Sequence, residues 1–379
     1  MVGVVAGCLI TFGFLHQTAH QRHAVWKVPT SIDSDFWIVD CHLGTSCWTY
    51  GARPHAEEIS LTGKPMRAIA DQKNRDYLSF LTGAGCIAQN DCYLGVPAVG
   101  MIKSSDGGQS WSQGSKAAGD AEVLYCWQSG RCLYFNGSEI MVAEDNEMEW
   151  HVPNGNGGIH AGEWKNCAIG LSCEKIESVS CFVKEHCIAV VSQSAAIGRH
   201  AKFYKSLDGG NSWSSRMPAL RIHDKTATKP FQMSLGCITS TICTYQKSTY
   251  GAKWYQTTNI SVSVNTGASW NVLDISSISK SGTGMSVVAC VSIEHCIVES
   301  NAKYQVKRPG GQDIYTGDPS HRKSKFYETF DRGRHWTQLS NPEGGDNIQS
   351  YDCPERYRCV AIVGNADEST SIAVLRIFK

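Results

Sequence analysis

Short apolar runs, broken by clusters of Gly, Asn, Asp and Ser, recur along the whole chain. Some are continuous, as in Cys187-Ile-Ala-Val-Val191, and some alternate with polar residues, as in Ser178-Val-Ser-Cys181. Runs of this length and composition, bounded by turn residues, predict β-strands. After residues 2–15 no stretch is long and apolar enough for a transmembrane helix. The block 178–218 reads as four successive strands: one ending at Cys181, one starting at Cys187, one entering Ser206-Leu-Asp208, and one carrying Trp213.

Cysteine spacing sharpens that reading. Of the 17 cysteines, all but Cys8 fall into pairs with five residues between: Cys41/Cys47, Cys86/Cys92, Cys126/Cys132, Cys167/Cys173, Cys181/Cys187, Cys237/Cys243, Cys290/Cys296 and Cys353/Cys359. Two strands joined by a short turn bring such residues face to face, close enough for a disulfide. Zinc pairs sit closer together and need further ligands at fixed offsets, so the spacing favours disulfides over metal. Closing so small a loop stabilises a hairpin by about 2 kcal/mol at most in the chain-entropy model. Persistent disulfides require an oxidising compartment, which points to a secreted or periplasmic protein. Residues 1–23 read as an export segment, with an apolar run of signal-peptide length but no basic start.

A second repeat lies between the cysteine pairs. Ser104-Ser-Asp106-Gly-Gly108-Gln-Ser110-Trp111 and Ser206-Leu-Asp208-Gly-Gly210-Asn-Ser212-Trp213 are its clearest copies. Ser263-Val-Asn265-Thr-Gly267-Ala-Ser269-Trp270 carries Asn for Asp, and Thr329-Phe-Asp331-Arg-Gly333-Arg-His335-Trp336 carries His for the late Ser. A degenerate copy over 143–150 keeps Asp145 and Trp150. In each, Asp suits acceptance of turn amides, Gly supplies positive φ, and Trp packs beyond the turn. These copies resemble the Asp-box, or BNR repeat, of sialidases, sortilin-type receptors and photosystem II assembly-factor-like propellers. The resemblance implies an all-β, seven-bladed β-propeller of four-stranded antiparallel blades. In that family the boxes occupy the turn between third and fourth strands, away from the catalytic face.

Seven cysteine pairs then mark one blade each, with Cys167/Cys173 as an extra bridge, and the repeat length suits a propeller. The chain ends one strand short after Cys359, while Trp26-Lys-Val-Pro29 matches Trp150-His-Val-Pro153 at the other terminus. The N-terminal strand is therefore expected to complete the last blade, making 24–379 one domain without an open edge.

Composition narrows the function. Lys+Arg and Asp+Glu both number 35, a balance that gives no reason to invoke nucleic acid. With hairpin turns and boxes on one face of the disc, recognition is expected on the other, in three longer segments. Residues 301–325 carry Tyr304, Lys307, Arg308, Tyr315, His321, Arg322 and Lys323; 154–177 carry Trp164; 246–257 carry Trp254. Long loops in compact domains are functional or disordered. Basic and aromatic side chains suit a protein or glycan partner. Catalytic signatures are weak: the sialidase Arg-Ile-Pro strand motif is absent, and no G-x-S-x-G, phosphate loop or HExxH occurs. The Glu185-His186-Cys187 and Glu294-His295-Cys296 triplets occupy equivalent hairpin positions, and a bridged cysteine is no nucleophile. No metal or cofactor is implied. The expected role is an exported, non-catalytic binding or assembly module; the alternative is a sialidase-like glycoside hydrolase.

Overall fold

The computed structural model describes residues 23–32, 36–41, 46–51, 55–70, 83–86, 90–96, 100–113, 123–127, 130–135, 140–143, 150–152, 173–182, 185–195, 198–214, 231–237, 241–250, 255–279, 284–301, 324–342, 347–364 and 370–378. Every regular element among them is a strand, and all strand pairing is antiparallel within seven separate sheets. The first sheet contains β2 (Phe36–Asp40), β3 (Ser46–Gly51), β4 (His55–Ser60) and β5 (Pro65–Ala70). The second contains β6 (Gly83–Cys86), β7 (Cys92–Val96), β8 (Gly100–Ser104) and β9 (Ser112–Gln113). The third and fourth are three-stranded: β10 (Val123–Cys126), β11 (Cys132–Phe135) and β12 (Ile140–Ala143), then β13 (Cys173–Phe182), β14 (His186–Ala195) and β15 (Gly198–Ser206).

Four strands return in the fifth sheet, β16 (Phe231–Cys237), β17 (Cys243–Tyr250), β18 (Tyr255–Ser263) and β19 (Asn271–Leu273). The sixth holds β20 (Gly284–Cys290), β21 (Cys296–Asn301), β22 (Ser324–Thr329) and β23 (Thr337–Gln338). The seventh holds β24 (Asn347–Glu355), β25 (Arg358–Gly364) and β26 (Thr370–Arg376), and β1 (Val25–Ile32) lies on the far side of β26. Trp26 there pairs with Leu375 and Ile32 with Thr370. Where the sequence over 178–218 predicts a fourth strand, the described residues show a single bridge, Lys205 to Ser214; Val142 to His151 is its counterpart in the third sheet.

The apolar runs are continuous because most sheets bury both faces. In β14, Ala189 and Val191 pack with Leu133 and Phe135 of the third sheet, while Ile188 and Val190 pack with Leu235 and Tyr245 of the fifth. Alternate side chains of one strand point to opposite faces, so two apolar neighbours require an apolar residue at every position. The same arrangement joins the first sheet to the second through Trp48 and Leu94, the fifth to the sixth through Val262 and Val298, and the sixth to the seventh through Phe326 and Leu375. β6 touches β10 between the second and third. The seventh sheet meets the first, with Val360, Ile362 and Ile372 against Val39 and Ile59.

Polar side chains tie neighbouring sheets where the apolar contacts stop. The Ser180 hydroxyl accepts from the Cys237 amide at 2.9 Å, and the Tyr351 hydroxyl donates to the Val287 carbonyl at 2.6 Å. Between the seventh sheet and the first, the Cys41 amide donates to the Asp352 carboxylate at 2.7 Å.

Candidate functional site

Seven of the C-x5-C pairs are disulfides: Cys41–Cys47, Cys86–Cys92, Cys126–Cys132, Cys181–Cys187, Cys237–Cys243, Cys290–Cys296 and Cys353–Cys359. Their Cα atoms lie 3.9 to 4.1 Å apart. In the second, third, fourth, fifth and sixth sheets the two cysteines are direct ladder partners at the end of the hairpin. Cys173 opens β13 opposite Ser194, and Cys167, with the proposed extra bridge, lies outside the described residues.

The Ser/Thr-x-Asp/Asn-x-Gly turns are built alike. At Asp106, one carboxylate oxygen accepts from the Ser104 hydroxyl at 2.7 Å and the Ser110 amide at 2.9 Å, and the other accepts from the Ser110 hydroxyl at 2.6 Å. The Gly108 amide in turn donates to Ser104 Oγ at 2.8 Å. Asp208 repeats the pattern with Ser206 and Ser212, and Asp331 with Thr329 and His335, whose Nδ1 lies 2.5 Å from the second carboxylate oxygen. Asn265 keeps the acceptor bonds but reverses the last one, its Nδ2 donating to Ser269 Oγ at 2.9 Å. Asp145 lies outside the described residues.

These bonds set the ionisation of the carboxylates. The Ser110 hydroxyl, then its amide and the Ser104 hydroxyl, hold Asp106 far below the usual carboxylate range. For Asp208 desolvation opposes the shift, and the donors from Ser212 and Ser206, with the Arg131 charge, outweigh it. For Asp331 desolvation again opposes, and the His335 and Thr329 donors bring the value down to about 2. A carboxylate that is ionised and saturated by its own turn is a poor proton donor and a poor base near neutral pH. These residues shape turns.

The turn and the disulfide hairpin are joined. In four sheets the amide that follows the Asp or Asn donates to the carbonyl two residues before the second cysteine. The pairs are Gly107 to Asn90 at 2.9 Å, Gly209 to Glu185 at 2.8 Å, Thr266 to Thr241 at 2.9 Å and Arg332 to Glu294 at 3.2 Å. Disulfide hairpins and Asp-bearing turns therefore share one side of those sheets. Side chains reinforce the union: Arg131 reaches from the third sheet to Glu185 at 2.6 Å and to the Asp208 carbonyl at 3.0 Å, and Arg332 pairs with Glu294 at 2.9 Å. Two glycines are required by close approach. At Gly210, with φ 93°, a Cβ would strike Leu133 Cδ1, and at Gly333, with φ 86°, it would strike the Asp274 backbone.

Both Glu-His-Cys triplets belong to this machinery, with Cys187 and Cys296 bridged. Arg131 and the Glu328 carboxylate, which His295 Nε2 contacts at 2.9 Å, were not singled out by sequence reasoning. The signal within reach was position: Arg131 and His295 each immediately precede a second cysteine. Tyr304, Lys307, Arg308, Tyr315, His321, Arg322 and Lys323, between β21 and β22, lie outside the described residues, as do Trp164 and Trp254. Within 246–257, Tyr250 and Tyr255 are ladder partners that extend β17 and β18.

No protein-family model matches this chain, and no curated protein matches it. Solved structures do. YCF48 bound to D1 peptide aligns with a TM-score of 0.53 over 95% of this chain and 97% of its own, at 14% identity. YCF48 from Cyanidioschyzon merolae aligns at 0.54 over 93% and 98%, at 17% identity. The GH74 xyloglucanase from Xanthomonas campestris aligns at 0.51 over 92% of this chain and 55% of its own, at 10% identity. At these identities the likeness speaks for fold alone, and that fold is a β-propeller.

Proposed function

We propose that this protein is an exported, non-catalytic binding or assembly module: a seven-bladed Asp-box propeller closed by its N-terminal strand. It recognises a protein partner, with a glycan as the alternative ligand, through the face opposite the Asp-bearing turns. The observation that carries this reading is the union of disulfide hairpin and Asp-bearing turn on one side of four sheets, where carboxylates and amides satisfy one another. A side consumed by its own hydrogen bonds offers few groups to a ligand. β21 and β22 are joined at the end of their ladder away from Cys296, and loop variation is how such folds carry function. Seven disulfides suit an oxidising compartment. A neighbour in fold is a propeller solved with a bound peptide, which supports a protein partner.

A glycoside hydrolase is the second reading, favoured by the xyloglucanase among the structural neighbours. Hydrolysis needs two carboxylates flanking one bond, one of them protonated at working pH. The Asp-bearing turns do not provide such a pair. A panel of fluorogenic glycosides together with a glycan and peptide array separates the readings. Binding without turnover is expected; turnover abolished by replacing a single carboxylate on the opposite face would establish the hydrolase.

A further inference from the structure

The joint between hairpin and Asp-bearing turn, made in four of the sheets, is replaced in the seventh. That sheet has no such turn, because its outer strand is β1, from the other end of the chain. The carbonyl two residues before Cys359, that of Tyr357, receives its amide from Ile377 at 3.0 Å instead. Beside it, the residues entering β1 are held by the neighbouring sheet. Glu328 of β22 has a fully buried side chain, and both of its oxygens are occupied. Oε1 takes His295 Nε2 at 2.9 Å and Oε2 takes His23 Nδ1 at 2.9 Å. The Ala24 amide donates between the two, at 3.3 and 3.2 Å. The Phe330 ring lies against both imidazoles, with centroids 4.3 Å from His295 and 5.8 Å from His23.

A buried carboxylate persists only where donors surround it. Two of the three here, His23 Nδ1 and the Ala24 amide, come from residues that lie more than 300 positions away in sequence and immediately before β1. We propose that Glu328 is the receptor carboxylate that seats the closing strand. It thereby sets the limit for removal of an export leader, so that any processing cut falls on the N-terminal side of His23. Cutting between His23 and Ala24 would remove the His23 donor and turn the Ala24 amide into a free amine. Cutting after Ala24 would leave only His295 on a buried charge and strip Ala24 from the apolar cluster it shares with Trp26 and Phe326.

The second half of this proposal rests on the export reading, and the experiment separates the two. The full chain is expressed in an exporting host and its N-terminus is sequenced; a mature protein that retains His23 is expected, and one beginning at Ala24 or later overturns the limit. In parallel, Glu328→Gln is introduced into the full chain and amide exchange is followed by mass spectrometry. Exchange across β1 is expected to rise about ten-fold or more while β24 and β25 change little; β1 protection equal to the parent overturns the receptor role. Should Glu328→Gln fail to fold, His23→Ala, which keeps the carboxylate and two donors, is read in the same way. An uncut chain would count against the export reading, and the exchange result would still decide the role of Glu328.

Discussion

At the scale of the residue, the Asp-bearing turns place carboxylates where a catalytic reading is tempting and then remove their chemistry. The aspartate at the centre of each turn accepts from two or three residues of its own loop, and the shift in its pKa follows. A carboxylate whose pKa is lowered by folding stabilises the fold above its unfolded value, near 3.9, and that contribution is lost as pH falls toward the folded value. Acid titration of stability should therefore show a loss that sets in near pH 4 and continues toward about 2, the value for Asp331. Asn265 sits in an equivalent turn and cannot titrate, so Asn265→Ala should lower stability by the same amount across that window. Asp208→Ala is expected to cost about 1 kcal/mol in denaturant unfolding, through lost turn hydrogen bonds. Gly333→Ala should cost more, since both its φ and the Asp274 backbone forbid a Cβ. Unchanged stability in Gly333→Ala would contradict the packing of that turn against the fifth sheet.

At the scale of the element, each hairpin is a self-contained unit whose end is bridged. Non-reducing peptide mapping is expected to return the seven short-loop bridges and the eighth, Cys167–Cys173, with no long-range connection. Replacing Cys181 and Cys187 together by Ser should lower stability by about 2 kcal/mol or less while the fourth sheet keeps its ladder. Much of this level was legible in the sequence, because spacing carries it: five residues between cysteines flanked by apolar strand-like runs suit a tight hairpin, and Trp213 stands at the same offset from Asp208 as Trp270 from Asn265. The likeness of Trp26-Lys-Val-Pro29 to Trp150-His-Val-Pro153 likewise pointed to an outer-strand position, and β1 lies on β26 with Trp26 against Phe326 at 5.5 Å. Glu328 was not legible. Its partners His23 and His295 have no periodic relation to it, and a lone Glu in a strand reads as a solvated residue until the neighbouring sheet is in place. The basic loop drew notice through length and composition, which report that a segment is unusual but not what it touches.

At the scale of the molecule, seven sheets stand in succession, the last meets the first, and the Asp-bearing turns of four of them share a side with their disulfides. If recognition belongs to the opposite side, neutralising Lys307, Arg308, Arg322 and Lys323 together should weaken partner binding and flatten its salt dependence, with melting unchanged. The Asp106, Asp208 and Asp331 replacements should do the reverse. Loss of binding in the latter set at unchanged stability would assign function to the wrong side. All of this rests on a ring completed by its own N-terminus, and thermal melting of a chain lacking residues through Pro29 tests that most directly. The account predicts a markedly lower melting temperature and concentration-dependent aggregation, because β26 loses the first five residues of β1, Trp26 among them, and exposes a paired edge. Melting of the shortened chain at the temperature of the parent would contradict it.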